Sequence, residues 1–183
     1  MASDELATGE QWIQRLQLIR HAEGGYYRET YRSGIKLPAG VLPSAFGSAR
    51  SLATTIYYLL RGDDFSAWHR LRSDEMWHFY AGSSLLIYQI SPEGQCTSYR
   101  LGHSGCPDEL PQCLVPAGYW IAAKVGRKDS FSLVGCTVSP GFEFADFEVG
   151  RRDNLLQTFP EYRDIILSMT RAGKESDSIQ ECP

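Results

Sequence analysis

Trp12, Leu16 and Ile19 lie at the spacing of one helical face, and Thr8 followed by Gln11 three positions on has the form of a capping box. A short packed helix is expected there. Gly24-Gly25 breaks this periodicity, and Tyr26 to Tyr31 then carry the aromatic and β-branched side chains of a strand. Residues 33–49, rich in Gly, Pro, Ser and Ala, read as a solvated loop, with a lid or a partner contact as the alternative. From Leu52 the pattern becomes a succession of short strands over 52–60, 66–71, 75–81, 84–90, 96–101, 113–116, 120–124 and 131–139.

Turn formers mixed with charge separate these strands at Arg61-Gly62-Asp63-Asp64, Ser91-Pro92-Glu93-Gly94 and Gly126-Arg127-Lys128-Asp129. They leave no room for crossover helices. Meandering antiparallel strands follow, closed into a barrel or a double sheet that protects most strand edges. Phe142, Phe144 and Phe147 supply packing beyond Pro140-Gly141, and Pro160 stands near the start of a helix whose apolar surface is Tyr162, Ile165, Ile166 and Met169. The expected fold is mainly β, a small β-barrel with peripheral N- and C-terminal helices, in a single domain over residues 5–172. Residues 173–183, charged and small polar, are expected to form a flexible tail.

Composition narrows the function classes. At 183 residues the chain can bury a sizeable core, and 43% hydrophobic against 22% charged residues is the balance of an ordinary folded protein. A net charge of -4 gives no general attraction to phosphate backbones, so no nucleic-acid partner is expected. No apolar run approaches the roughly 20 residues of a membrane span, and no basic-then-apolar leader follows Met1, so the expectation is a cytoplasmic protein without a membrane partner. The five cysteines, Cys96, Cys106, Cys113, Cys136 and Cys182, form no short pair and read as reduced. Gly-rich dinucleotide and phosphate loops and a GxSxG nucleophile elbow are absent, and no cofactor is expected.

Candidate chemistry concentrates in the stretch from Ser66 to Gly82. If the segments flanking the turn at 71–74 are strands, His69 faces Glu75 across a hairpin, with Glu75, Trp77 and Phe79 on one side of their strand. Burial would raise the Glu75 pKa and a charged histidine would lower it. His78 lies on the opposite strand face, at an interface or beside an acid, and enters the cavity only through a bulge. Tyr57, Trp68, Trp77 and Trp120 are candidates for core packing or substrate contact. His21 and His103 are weaker candidates. Glu23 and Arg28 flank the Gly-Gly turn, placed either to line an entrance or to form a solvated salt bridge.

His69, Glu75 and Gly82 together resemble the first motif of the cupin superfamily, with Leu71 where a second histidine is usual. Pro116-Ala117-Gly118-Tyr119-Trp120-Ile121 is similar to the second motif, with Ile121 where a metal-binding histidine is common. The segments 23–33, 68–70, 73–82 and 133–144 resemble the cupin-5 subgroup, and the resemblance runs from about His21 through Phe147. It implies a cupin-like double-stranded β-helix or jelly roll, commonly paired through strands as a homodimer, with a pocket for a small organic ligand inside each barrel.

Two of the usual metal positions hold hydrocarbon side chains that donate no lone pair, so no metal is expected. The leading expectation is a metal-independent isomerase, epimerase or lyase-like enzyme that moves a proton on a small, partly apolar metabolite. His69 would be the general base, Glu75 its orienting or returning acid, and His78 a further participant. A noncatalytic small-molecule-binding cupin and a metal-dependent cupin oxygenase are the alternatives.

Overall fold

A computed structural model describes residues 7–103 and 105–171; residues 5, 6 and 172 and the expected tail 173–183, with Cys182, lie outside them. Helix α1 (Gly9–Leu16) starts at the expected capping box, in which Thr8 accepts from the Gln11 amide and Gln11 returns a bond to the Thr8 amide. It ends earlier than the apolar spacing suggested. Gln17 takes a left-handed conformation at φ 53°, so Ile13 and Leu18 turn inward, while Ile19 is half exposed in a strand.

The strands that follow are β1 (Ile19–Arg20), β2 (Tyr26–Arg32), β3 (Lys36–Leu37), β4 (Arg50–Ser51), β5 (Thr54–Arg61), β6 (Phe65–Leu71) and β7 (Asp74–Gly82). They continue with β8 (Leu85–Ile90), β9 (Cys96–Leu101), β10 (Glu109–Leu110), β11 (Gln112–Val115), β12 (Trp120–Val125), β13 (Phe131–Ser139) and β14 (Phe147–Val149). Two helices close the described chain, α2 (Arg152–Thr158) and α3 (Arg163–Ser168). The segment 33–49 is largely loop, but two short 3-10 turns bury Phe46 and lead into the buried Arg50.

The strands form two six-stranded sheets, ordered β1-β2-β5-β13-β7-β11 and β10-β9-β8-β12-β6-β14, plus the β3-β4 pair. Every pairing is antiparallel except β10 on β9. The sheets do not join into one closed hydrogen-bonded ring, so the jelly roll is an open double sheet. Consecutive side chains on a strand point to opposite faces, which fixes three packing layers. Tyr58, Leu60, Trp77, Ile87, Ile121, Val134 and Cys136 fill the interior between the sheets.

Outside the second sheet, α2 and α3 place Leu155, Phe159, Ile166 and Met169 over Trp68, Ile90 and Ala122. Each such side chain, fully withdrawn from water, contributes roughly 1.5–3 kcal/mol. Ile13 and Leu18 cover Leu59 and Leu133 outside the first sheet. The interior has a second, looser end, where Leu71, Val138 and Phe147 pack with Phe142 and Val149. The cavity opens there. No helix among the described residues is long and apolar enough to cross a membrane.

Candidate functional site

The site begins with a glycine pair. Gly24 and Gly25 both have positive φ, 118° and 69°, and the turn is closed by bonds from the Gly24 amide to the His21 carbonyl and from the His21 amide to the Gly25 carbonyl. A β-carbon on Gly24 would stand 2.1 Å from the Phe65 carbonyl oxygen, so no larger residue permits this approach of the turn to β6. Tyr58 donates its hydroxyl to the Gly24 carbonyl at 2.8 Å, and Asp64 accepts from the Gly25 amide at 3.0 Å. Thus pinned, the turn delivers Glu23 into the interior between the sheets.

Glu23 is buried, 6% exposed, and both carboxylate oxygens are used. Oε1 accepts from the Ser66 hydroxyl at 3.0 Å, and Oε2 lies 3.2 Å from Nε2 of His69. His69 sits in β6 between Ile121 and Val149 of the neighbouring strands, with its Nδ1 2.8 Å from the Ala67 carbonyl. A carbonyl only accepts, so Nδ1 carries a hydrogen. Nε2 is then the ring nitrogen that faces the Glu23 carboxylate. His21 lies beside this pair, its Nδ1 3.3 Å from the Glu23 amide and 3.7 Å from Oε2. Burial lowers the pKa of this imidazole, opposed by Glu23, which favours a neutral ring accepting the amide hydrogen on Nδ1.

Glu75 completes the inner wall from β7. It is 6% exposed, and among the described residues its Oε2 has no hydrogen-bond partner, nor does the neighbouring indole Nε1 of Trp77. Burial pushes the Glu75 carboxyl up to about 7, with Glu23 adding to the rise, against the pull of nearby His69 and, more weakly, of the Trp77 indole and Cys136 thiol. Cys136, also on this wall, has its thiol pushed far up by burial and by Glu75, so it is no nucleophile.

These groups end a cavity of about 150 Å³. Its side walls include Ile56, Leu71, Val138 and the rings of Phe142, Phe144 and Phe147, which meet edge to face at centroid distances of 5.1 to 6.3 Å. At the rim, Arg32 reaches both oxygens of Glu29, Oε1 of Glu143 and the Phe142 carbonyl.

His69 and Glu75 both line this cavity; the other expected site residues stand elsewhere. His78 points off the opposite face of β7 and pairs with Gln112 at 3.1 Å, since no bulge turns it inward. Trp68 and Trp120 face away from the interior, in the layer covered by α2 and α3. Tyr57 packs in the layer under α1, its ring 6.0 Å from that of Tyr80. Trp77 faces inward but is sealed in the core, its ring against Tyr58. His103 lines a separate surface depression with Arg100, and Arg28 reaches Gln17 rather than Glu23. The residues that sequence reasoning underrated are His21 and Glu23, and their signal was an acid two positions after a histidine and directly before Gly-Gly.

The donor set does not fit the metal centre of metal-binding cupins. Leu71 is a hydrocarbon wall of the cavity and Ile121 is sealed in the core. His69 Nε2, the nitrogen left for an ion, lies 3.2 Å from the Glu23 carboxylate, within ion-pair distance. Among the described residues no group of three or more His, Cys, Asp or Glu side chains is arranged to hold a metal ion.

Comparison with known proteins gives the same architecture. Residues 10–150 match the family model described as Cupin superfamily (DUF985), cupin-5. An uncharacterized protein of Saccharomyces cerevisiae is 32% identical over 149 residues, 75% of this chain and 72% of the yeast protein. A crystal structure of a Shewanella oneidensis protein is 42% identical, covers 92% of this chain and all of its own, and superposes with a TM-score of 0.81. A hypothetical protein from Leishmania major is 34% identical, with 90% and 99% of the two chains covered and a TM-score of 0.80. Oxalate decarboxylase from Bacillus subtilis, 14% identical with a TM-score of 0.50 over 90% of this chain and 42% of its own, shares the fold alone.

Proposed function

The chain belongs to the cupin-5 family of the cupin superfamily, and we propose that its cavity performs metal-independent proton transfer on a small, partly apolar metabolite, as an isomerase, epimerase or lyase-like enzyme. One observation supports this above the rest. Glu75 is a buried carboxyl with an unpartnered oxygen and a pKa raised to about 7, at the inner wall of a cavity that also presents His69. A group that titrates near neutral pH both accepts and returns a proton efficiently.

The roles differ from those expected from the hairpin alone. Glu23, not Glu75, holds the His69 imidazole, through a contact at 3.2 Å. Glu75 is then the base that takes a proton from the substrate, and the His69-Glu23 pair is the acid that returns one at a second atom. Solvent resets the two sites after release. The apolar walls of Phe142, Phe144 and Phe147 hold the hydrocarbon part of the substrate and exclude water from the transferred proton.

Solvent isotope exchange tests this directly. A panel of small sugars, hydroxy acids, ketones and amines is incubated with the protein in D2O, and deuterium entry at carbon is followed by mass spectrometry. Deuterium entry that Glu75→Gln abolishes is the predicted result. A panel member that binds saturably without exchange or product formation would assign the noncatalytic binding role instead.

The homodimer expected from the resemblance is part of the same proposal. Strand β11 ends the first sheet with Leu114 exposed, an edge that a second copy can extend. Sedimentation equilibrium giving twice the chain mass supports it; a monomer at all concentrations contradicts it.

A further inference from the structure

The charge and ring content of the cavity select among ligand classes. We infer that the cavity takes a small organic ammonium, held by the Glu75 carboxylate and the phenyl rings of Phe142, Phe144 and Phe147. This deepens the reading of the cavity as a small-molecule site and rests on it.

Among the described residues an anionic ligand finds no free cation there: Arg32 is the only guanidinium in the lining, which contains no lysine, and it is held by Glu29 and Glu143 at 2.8–3.0 Å. One Arg32 against two carboxylates leaves the rim with an excess negative charge. At the inner end His21 is held toward the neutral form, and the Glu23 carboxylate is already paired with His69 and the Ser66 hydroxyl. Glu75 therefore sets the inner charge, and its Oε2 is the buried acceptor left without a donor. An ammonium supplies the missing positive charge, and a protonated amine would supply the missing donor as well.

The walls suit the same ligand. Aromatic faces attract cations by about 0.5–2 kcal/mol, more where water is excluded. A cavity of about 150 Å³ is the size that accepts benzene, so roughly six non-hydrogen atoms fit. A carboxylate or phosphate of that size would instead meet Glu75 and Glu23 at the inner end, with the rim carboxylates behind it.

Tetramethylammonium, tert-butanol and isobutyrate, which are similar in size and differ in charge, provide the test. Their affinities for the full-length protein are measured by calorimetry and saturation-transfer NMR at pH 6 and pH 8. Tetramethylammonium should bind at least about tenfold more tightly than the other two, a difference within reach of one desolvated cation–π and charge contact. Because it cannot lose a proton, its affinity should fall by up to about tenfold per pH unit below pH 7 as Glu75 protonates. The titratable groups that face Glu75 are His69, Glu23, Cys136 and Cys113, with the Trp77 indole beside them, and the first two are paired with each other. Glu75→Gln should abolish both the preference and the pH dependence, while Phe144→Ala should weaken tetramethylammonium alone. Equal or tighter binding of isobutyrate or tert-butanol overturns the ammonium assignment while leaving the cavity a ligand site. Failure of all three to bind overturns the assignment together with that site reading, independently of the isotope-exchange result.

Discussion

Nε2 of His69 lies 3.2 Å from Oε2 of Glu23, brought there by the Gly24-Gly25 turn packed against β6 and by the bond from the Ala67 amide to the Glu23 carbonyl. The contact joins the N-terminal segment to β6 and fixes the imidazole that faces the cavity. Because the other nitrogen of the ring is committed to Ala67, Nε2 is the nitrogen that faces the carboxylate of Glu23.

Removing that carboxylate strands two buried groups at once. Glu23→Ala leaves the Ser66 hydroxyl and His69 Nε2 without partners, and an expected loss of about 2–5 kcal/mol follows from orphaning buried hydrogen-bonding groups. Glu23→Gln, which keeps an acceptor for Ser66, should lose less. Urea unfolding midpoints of the three proteins check the order.

The turn that places Glu23 is equally exposed to substitution. Gly24→Ala would push a β-carbon into the Phe65 carbonyl and adopt a φ that L residues rarely take, at an expected cost of about 2–4 kcal/mol. Gly40→Ala, in open space on the 33–49 loop, is the control and should be nearly neutral. Thermal unfolding distinguishes them, and equal effects would contradict the role given to the turn.

Most of the strand framework was legible because short β-branched and aromatic runs stand between clusters of turn formers. The expected 96–101 and 131–139 match β9 and β13 at both ends, since turn formers at 91–94 and 126–129 and Pro140-Gly141 bound these β-forming runs. Helix α2 was not legible: it starts at Arg152 without a side-chain cap, and its buried apolar content is Leu155. Trp68 and His69 show the limit of periodicity. Neighbours on a strand face opposite ways, so both could not enter one cavity, and only the packing of α2 and α3 decides which face is covered. His69 and Glu75 were readable from their hairpin, whereas Glu23 reaches the site through a tertiary approach that depends on the missing side chain of Gly24.

Glu75 also makes stability depend on pH with a definite sign. Its carboxyl is raised from 4.5 to about 7 in the folded protein, so between these values the native state keeps a proton that the unfolded chain releases. This contribution leaves the fold most stable below pH 4.5, weakens it as pH rises to about 7, and is constant above. The total loss is about 3 kcal/mol for a shift of this order. Glu75→Gln removes it, so the variant should gain stability relative to the original protein between pH 5 and pH 8. Parallel denaturation profiles across that range would contradict the assignment.

The most direct measurement is the titration of the Glu75 carboxyl itself, in protein labelled with carbon-13 at the glutamate side-chain carboxyls and compared with Glu75→Gln. The resonance lost in the variant should titrate near pH 7. It should move higher still in His69→Gln, because His69 pulls the carboxyl down. A resonance that titrates near 4.5 and ignores the loss of His69 would contradict a proton-transferring Glu75 at the heart of the cavity.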